Sequence, residues 1–147
     1  MGIDYLYEII VIPDDGTTGQ NLIRLINTLA LASRLSNVVV LDVECNGNRT
    51  WAQQPPFLST TQEVMNYAQA VGQFDWATFF FFPPAETPAS DEHQFETLFA
   101  KAHVTIRAVD DTYFYVYSPI ADDATLLSKV FPLESNRTSK EAIVHPT

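Results

Sequence analysis

The sequence predicts an α/β fold: a single domain with a mixed sheet of about five strands and helices on both faces. Three observations carry the prediction. Stretches rich in Ile, Val, Tyr and Phe alternate with stretches whose apolar residues recur at helical spacing, in the order β-α-β-α-β-α-β-β-α. The apolar start of Asn37–Cys45 is nearly unbroken, as in a parallel strand buried on both faces. At 147 residues, 46% of them hydrophobic, the chain is long enough for one core. The domain is expected to span residues 1–132, with a polar C-terminal tail over 133–147.

Residues 3–12 (IDYLYEIIVI) end at Pro13 and read as the first strand, and residues 14–19 (DDGTTG) as a turn. From Gln20 to Leu35 the apolar positions Leu22, Leu25, Ile26, Leu29 and Ala32 predict one amphipathic helix. Asn37–Cys45 is the second strand, and Cys45 shares the alternation of Val39, Leu41 and Val43, which points it into the core. A loop of about fifteen residues follows, holding Trp51 and Phe57 around Pro55-Pro56. Thr60 with Glu63 three residues later marks a capping box, opening a helix whose inner row is Val64, Ala68 and Val71.

Phe74–Phe82 reads as the most buried strand, stopped by Pro83-Pro84. Ser90 is expected to cap a short helix with Phe95, Leu98, Phe99 and Ala102 on its packed face. His103–Val109 and Thr112–Ser118 pair as a hairpin around Asp110-Asp111. A three-residue loop puts Val109 opposite Tyr113, Arg107 opposite Tyr115 and Thr105 opposite Tyr117, which separates an apolar face from a tyrosine face; a two-residue loop mixes them. Asp122 or Asp123 then caps a last helix closed by Pro132. Thioredoxin-like folds share this order of elements, but the chain has no Cys-x-x-Cys and no proline opening the strand at His103.

Eighteen acids against eight bases give a formal charge of −10. Nucleic acid and anionic membrane are therefore poor partners, since either requires a basic stripe. The acidity is regional: no Lys or Arg lies between Thr50 and Ala100, where Glu63, Asp75, Glu86, Asp91, Glu92 and Glu96 lie. The N-terminus shows no secretory leader, and the single Cys45 excludes an internal disulfide, so the cytoplasm is the expected compartment. The Asn-Arg-Thr sequons at Asn48 and Asn136 then carry no weight.

Motifs for catalysis are few. Gly16-Thr17-Thr18-Gly19 lacks the Lys and the spacing of a phosphate loop, and the three histidines have no metal-like spacing. No motif demands a cofactor. A carboxylate site remains: if the first two strands are parallel neighbours, Asp14 and Asp15 approach Asp42 and Glu44 at one sheet edge, where they could hold Mg²⁺. A phospho-acceptor receiver domain, which also begins with a strand and paired Asp, requires an acid ending the third strand and a later Lys, and both are missing.

Interaction features are more numerous. Glu86, Asp91, Glu92 and Glu96 form a candidate docking face for a basic protein, whose association they would steer. Arg107, Tyr113, Tyr115 and Tyr117 form an aromatic stripe of the composition found at interface hot spots, unless a helix covers it. Trp51 and Phe57 are further candidate contacts. The expected function is a small acidic module that binds a basic partner, in the manner of inhibitor or immunity proteins. The carboxylate-centred enzyme or small-ligand domain is the alternative, and an assembly subunit the third reading, with a homodimer formed through the tail or the hairpin edge.

Overall fold

The computed structural model describes residues 5–47, 57–86, 94–139 and 143; of Tyr5 and Phe57 only the backbone is described. Among the described residues seven strands form one sheet: β1 (Tyr5–Val11), β2 (Asn37–Asn46), β3 (Phe57–Thr60), β4 (Gln73–Phe82), β5 (Val104–Val109), β6 (Tyr113–Ser118) and β7 (Leu133–Ser139). Their order is β3-β2-β4-β5-β6-β1-β7, and every neighbouring pair is antiparallel. Five helices with described bounds accompany them among these residues: α1 (Gly19–Thr28), α2 (Leu31–Arg34), α3 (Thr61–Ala68), α4 (Phe95–Lys101) and α5 (Ala121–Ser128).

This corrects the five-stranded mixed sheet. β1 and β2 are not neighbours; β4, β5 and β6 lie between them. Nor are there two helical layers among the described residues. Apolar residues of α1, α2, α3 and α5 share one core with Val38, Val40, Phe79 and Phe81, while the other face carries the seven-residue α4 over Val39, Leu41, Phe80 and Phe82. The apolar run of β2 arises because a central strand with packing on both faces buries every residue, whichever way its neighbours run.

Two further strands come from segments read as loop and tail. Phe57 leaves the expected loop to open β3 along β2, and Leu133–Ser139 pairs with β1 as a polar edge strand. Ile143 packs against the second core of its own chain. The expected helix over Gln20–Leu35 is broken where Ala30 takes a left-handed φ of 52° between α1 and α2. The Thr60–Glu63 capping box forms as the residues predict. Ser90 lies outside the described residues, and α4 begins after Gln94, whose side chain makes no capping bond. In α5 the N-cap is Ile120, with Asp122 and Asp123 in the first turn; Asp123 is buried, accepts from Ser118 Oγ at 2.6 Å and faces Arg34 at 3.4 Å.

Candidate interaction surface

At the sheet edge where β1, β2 and β5 end and β4 and β6 begin, the turn after β1 is stitched between β4 and the β5–β6 hairpin. Thr17 donates its N–H to Asp111 O (3.0 Å) and its hydroxyl to Phe74 O (2.6 Å), while Phe74 N donates to Thr17 O (2.8 Å). Gln73 Nε2 also donates to Asp111 O, at 3.0 Å. Gly16 fits here with φ +79°, and a Cβ on it would lie 2.3 Å from Asp111 O. The backbone N–H groups of Gly16, Thr17, Thr18 and Gly19 donate to Pro13, Asp111, Gly16 and Val71 oxygens. That turn is a structural joint, with its donors spent inside the protein.

The joint fixes the hairpin tip, where Thr112 N donates to Val109 O across Asp110 and Asp111, both in left-handed conformations (φ 55° and 61°). The three-residue loop gives the register expected from the residues: Val109 faces Tyr113, Arg107 faces Tyr115 and Thr105 faces Tyr117. Because β4 pairs with β5, three rows cross one sheet face. They are Glu44–Trp76–Val109–Tyr113, Leu41–Thr78–Arg107–Tyr115–Ile10 and Val39–Phe80–Thr105–Tyr117–Glu8.

The third row is closed by α4. Phe99 meets Tyr117 edge-on at 5.3 Å, Phe95 meets Phe80 at 5.5 Å, and Tyr117 is 3% exposed. Burial and the neighbouring Glu8 carboxylate push the Tyr117 hydroxyl well above its ordinary pKa, against the opposing pull of Arg107. In the middle row Arg107 is half-buried, with its guanidinium 5.0 Å from the Phe95 ring centroid. The first row is open: Trp76 is 42% and Tyr113 36% exposed. Glu44, Asp75, Asp110 and Asp111 surround it, all exposed. Asp111 titrates above its ordinary range because it shares a hydrogen bond with the Asp75 carboxyl and stands in the field of Asp75 and Asp110.

The tyrosine stripe is thus graded, from buried Tyr117 through half-buried Tyr115 to exposed Tyr113. Among the acids of the expected docking face, Glu86 is exposed and 2.9 Å from His103 Nε2, and Glu96 is exposed in the first turn of α4; Asp91, Glu92 and Trp51 lie outside the described residues. Phe57 opens β3. The alternative reading of Asp14, Asp15, Asp42 and Glu44 required β1 and β2 to be parallel neighbours, and three strands separate them. Asp15 accepts from Asn21 Nδ2 at 2.6 Å, and Asp42 sits at a bulge with φ 56°. Among the described residues no group of three His, Cys, Asp or Glu is placed to hold a metal ion.

That bulge also reverses the alternation of β2. Val39 and Leu41 face the α4 side, whereas Val43 and half-buried Cys45 pack on the opposite core, which corrects the shared alignment expected of Cys45. A compensating irregularity in β4 leaves Trp76 on the α4 face while Phe74 is buried in the main core. Trp76, Val109 and Asp75 were not legible as site residues, because their neighbourhood depends on the β4–β5 pairing. No helix among the described residues is long and apolar enough to cross a membrane. Comparison with protein-family models, with curated proteins and with solved structures finds no match.

Proposed function

We propose that this chain is a protein-interaction module that docks a basic segment of a protein partner on the open end of the α4-bearing sheet face. The observation that carries the reading is the row Trp76–Val109–Tyr113, with two exposed aromatic residues, bordered by Glu44, Asp75, Asp110 and Asp111. Exposed Trp and Tyr are the residue types that concentrate binding energy, and an acidic rim speeds encounter with a basic surface. The six acids unopposed by any base between Thr50 and Ala100 extend the same field. Inhibition of the partner is the biological outcome we favour, and a reducing cytoplasm suits a chain with one cysteine.

The test is affinity capture on the intact chain, on Trp76→Ala and on a chain carrying E44Q, D75N, D110N and D111N. Support is a partner with a basic surface that both variants lose, and whose association rate falls about tenfold or more between low and high salt. A partner retained equally by all three chains and indifferent to salt overturns the reading.

A further inference from the structure

We infer that Trp76, Val109 and Tyr113 form a slot for an arginine side chain of the partner. This rests on the docking reading above and specifies what that surface takes. Trp76 and Tyr113 stand two strands apart in one row, on the same face, with the shorter Val109 between them as a floor. Strand spacing puts their backbones about 10 Å apart. A planar group stacked between two ring faces at van der Waals contact needs about 7–8 Å. The row therefore has room for one such group, and modest leaning of the two side chains closes the fit.

Charge selects the guest. Glu44 adjoins Trp76 in the row, Asp75 precedes it in the chain, and Asp110 and Asp111 leave Val109 at the open edge. A cation lying between the rings is then bordered by carboxylates on both sides. Among the described residues the nearest base on this face is Arg107, one row away, with its guanidinium turned to Phe95 and Tyr117 on the α4 side. It closes the inner end of the slot to a second cation, so the guest enters from the hairpin edge. Guanidinium fits better than ammonium. It is planar, weakly hydrated, stacks on aromatic faces and donates in pairs to carboxylates, whereas a lysine ammonium is a strongly hydrated point charge.

The probe is a set of blocked hexapeptides, (Arg-Gly)₃, (Lys-Gly)₃ and (citrulline-Gly)₃, the last planar but uncharged. Calorimetry gives their affinities for the full chain. Emission in a Trp51→Phe background reports Trp76 alone, because the sequence holds two tryptophans. The arginine peptide should perturb Trp76 emission saturably, bind about fivefold or more tighter than the lysine peptide, and outbind the citrulline peptide by more. Trp76→Leu and Tyr113→Leu should each weaken it about tenfold. Amide-proton shifts of Val109 in the unsubstituted chain locate the guest without any variant.

Equal affinities for arginine and citrulline peptides overturn the slot, as do unchanged Val109 shifts at saturation. Should the E44Q/D75N/D110N/D111N chain lose both basic peptides while the two leucine variants keep them, the slot fails and the acidic docking surface stands. If that amide chain binds the basic peptides as well as the parent does, the docking reading itself falls.

Discussion

The three tyrosines of β6 lie on one strand and one face, yet they have three different fates. Tyr117 is buried against Phe99, Tyr115 is half-buried at 6.4 Å from Tyr117, and Tyr113 stands exposed beside Val109 and Trp76. Successive tyrosines advance about 7 Å along the strand. α4 has seven residues and so is about 10 Å long, and its apolar side chains reach the row of Tyr117. Coverage, not residue type, separates a core tyrosine from a surface one. The covered half of the face should therefore govern stability, and the open half binding.

The largest expected effect breaks or keeps that division. Phe99 is 1% exposed and packs on Phe95 and Tyr117, so Phe99→Ala should cost about 3–5 kcal/mol by the cavity it leaves. Trp76→Ala and Tyr113→Ala should each cost about 1 kcal/mol or less in chemical denaturation. Equal losses at Phe99 and Tyr113 would show that both halves belong to one core.

Next comes the joint that holds the open half. Gly16→Ala puts a methyl 2.3 Å from Asp111 O and gives a side chain to a residue with φ +79°. A loss of about 2 kcal/mol is expected from the strained backbone and displaced carbonyl. Peptide affinity should fall with it, since the Asp110–Asp111 turn shifts. Full affinity in Gly16→Ala would separate the turn from the binding surface.

How much of this was legible follows the range of the interactions. The hairpin register and the Thr60–Glu63 cap were readable because they depend on residues a few positions apart. Strand direction was not: apolar content reports burial and is blind to whether a neighbour runs parallel or antiparallel. β7 was hidden because an edge strand exposed along most of its length needs no apolar alternation, and its LESNRTS reads as tail. At Asp42 a one-residue bulge inverted the alternation beyond it, so Cys45 packs on a core as expected, but on the face opposite Val39 and Leu41. The site itself was half legible. Tyr113 came from the local hairpin, whereas Trp76 came from a pairing between strands separated by a whole helix.

A smaller effect probes the closed half through pH. The Tyr117 hydroxyl ionises less readily in the folded chain than in the unfolded one, so folding favours the protonated form. The stability this contributes is complete below the unfolded pKa near 10 and drains as pH rises above it, by at most about 1.4 kcal/mol per pH unit. Tyr117→Phe should flatten the loss of stability above pH 10 in denaturant midpoints measured against the parent. A parallel alkaline profile for the two chains would mean that Tyr117 is not shielded by α4.

The smallest effect concerns the carboxylates at the open end. Asp111 holds its proton more tightly in the fold because the Asp75 carboxyl shares it, so the pair is favourable below the unfolded pKa of about 3.8 and that contribution is lost as pH rises. At neutral pH the two charges repel, and Asp111 also carries a left-handed φ of 61°, a conformation glycine adopts without strain. Asp111→Asn should raise the melting temperature at pH 7 and give no gain at pH 3, because it removes charge and keeps a side chain tolerant of that φ. Asp111→Gly should gain at both, by relieving the backbone as well. Both variants should weaken the arginine peptide. A stabilised chain that binds less tightly is what a surface acid kept for its partner produces, and an Asp111→Asn chain that binds as before would assign the rim to Glu44, Asp75 and Asp110 alone.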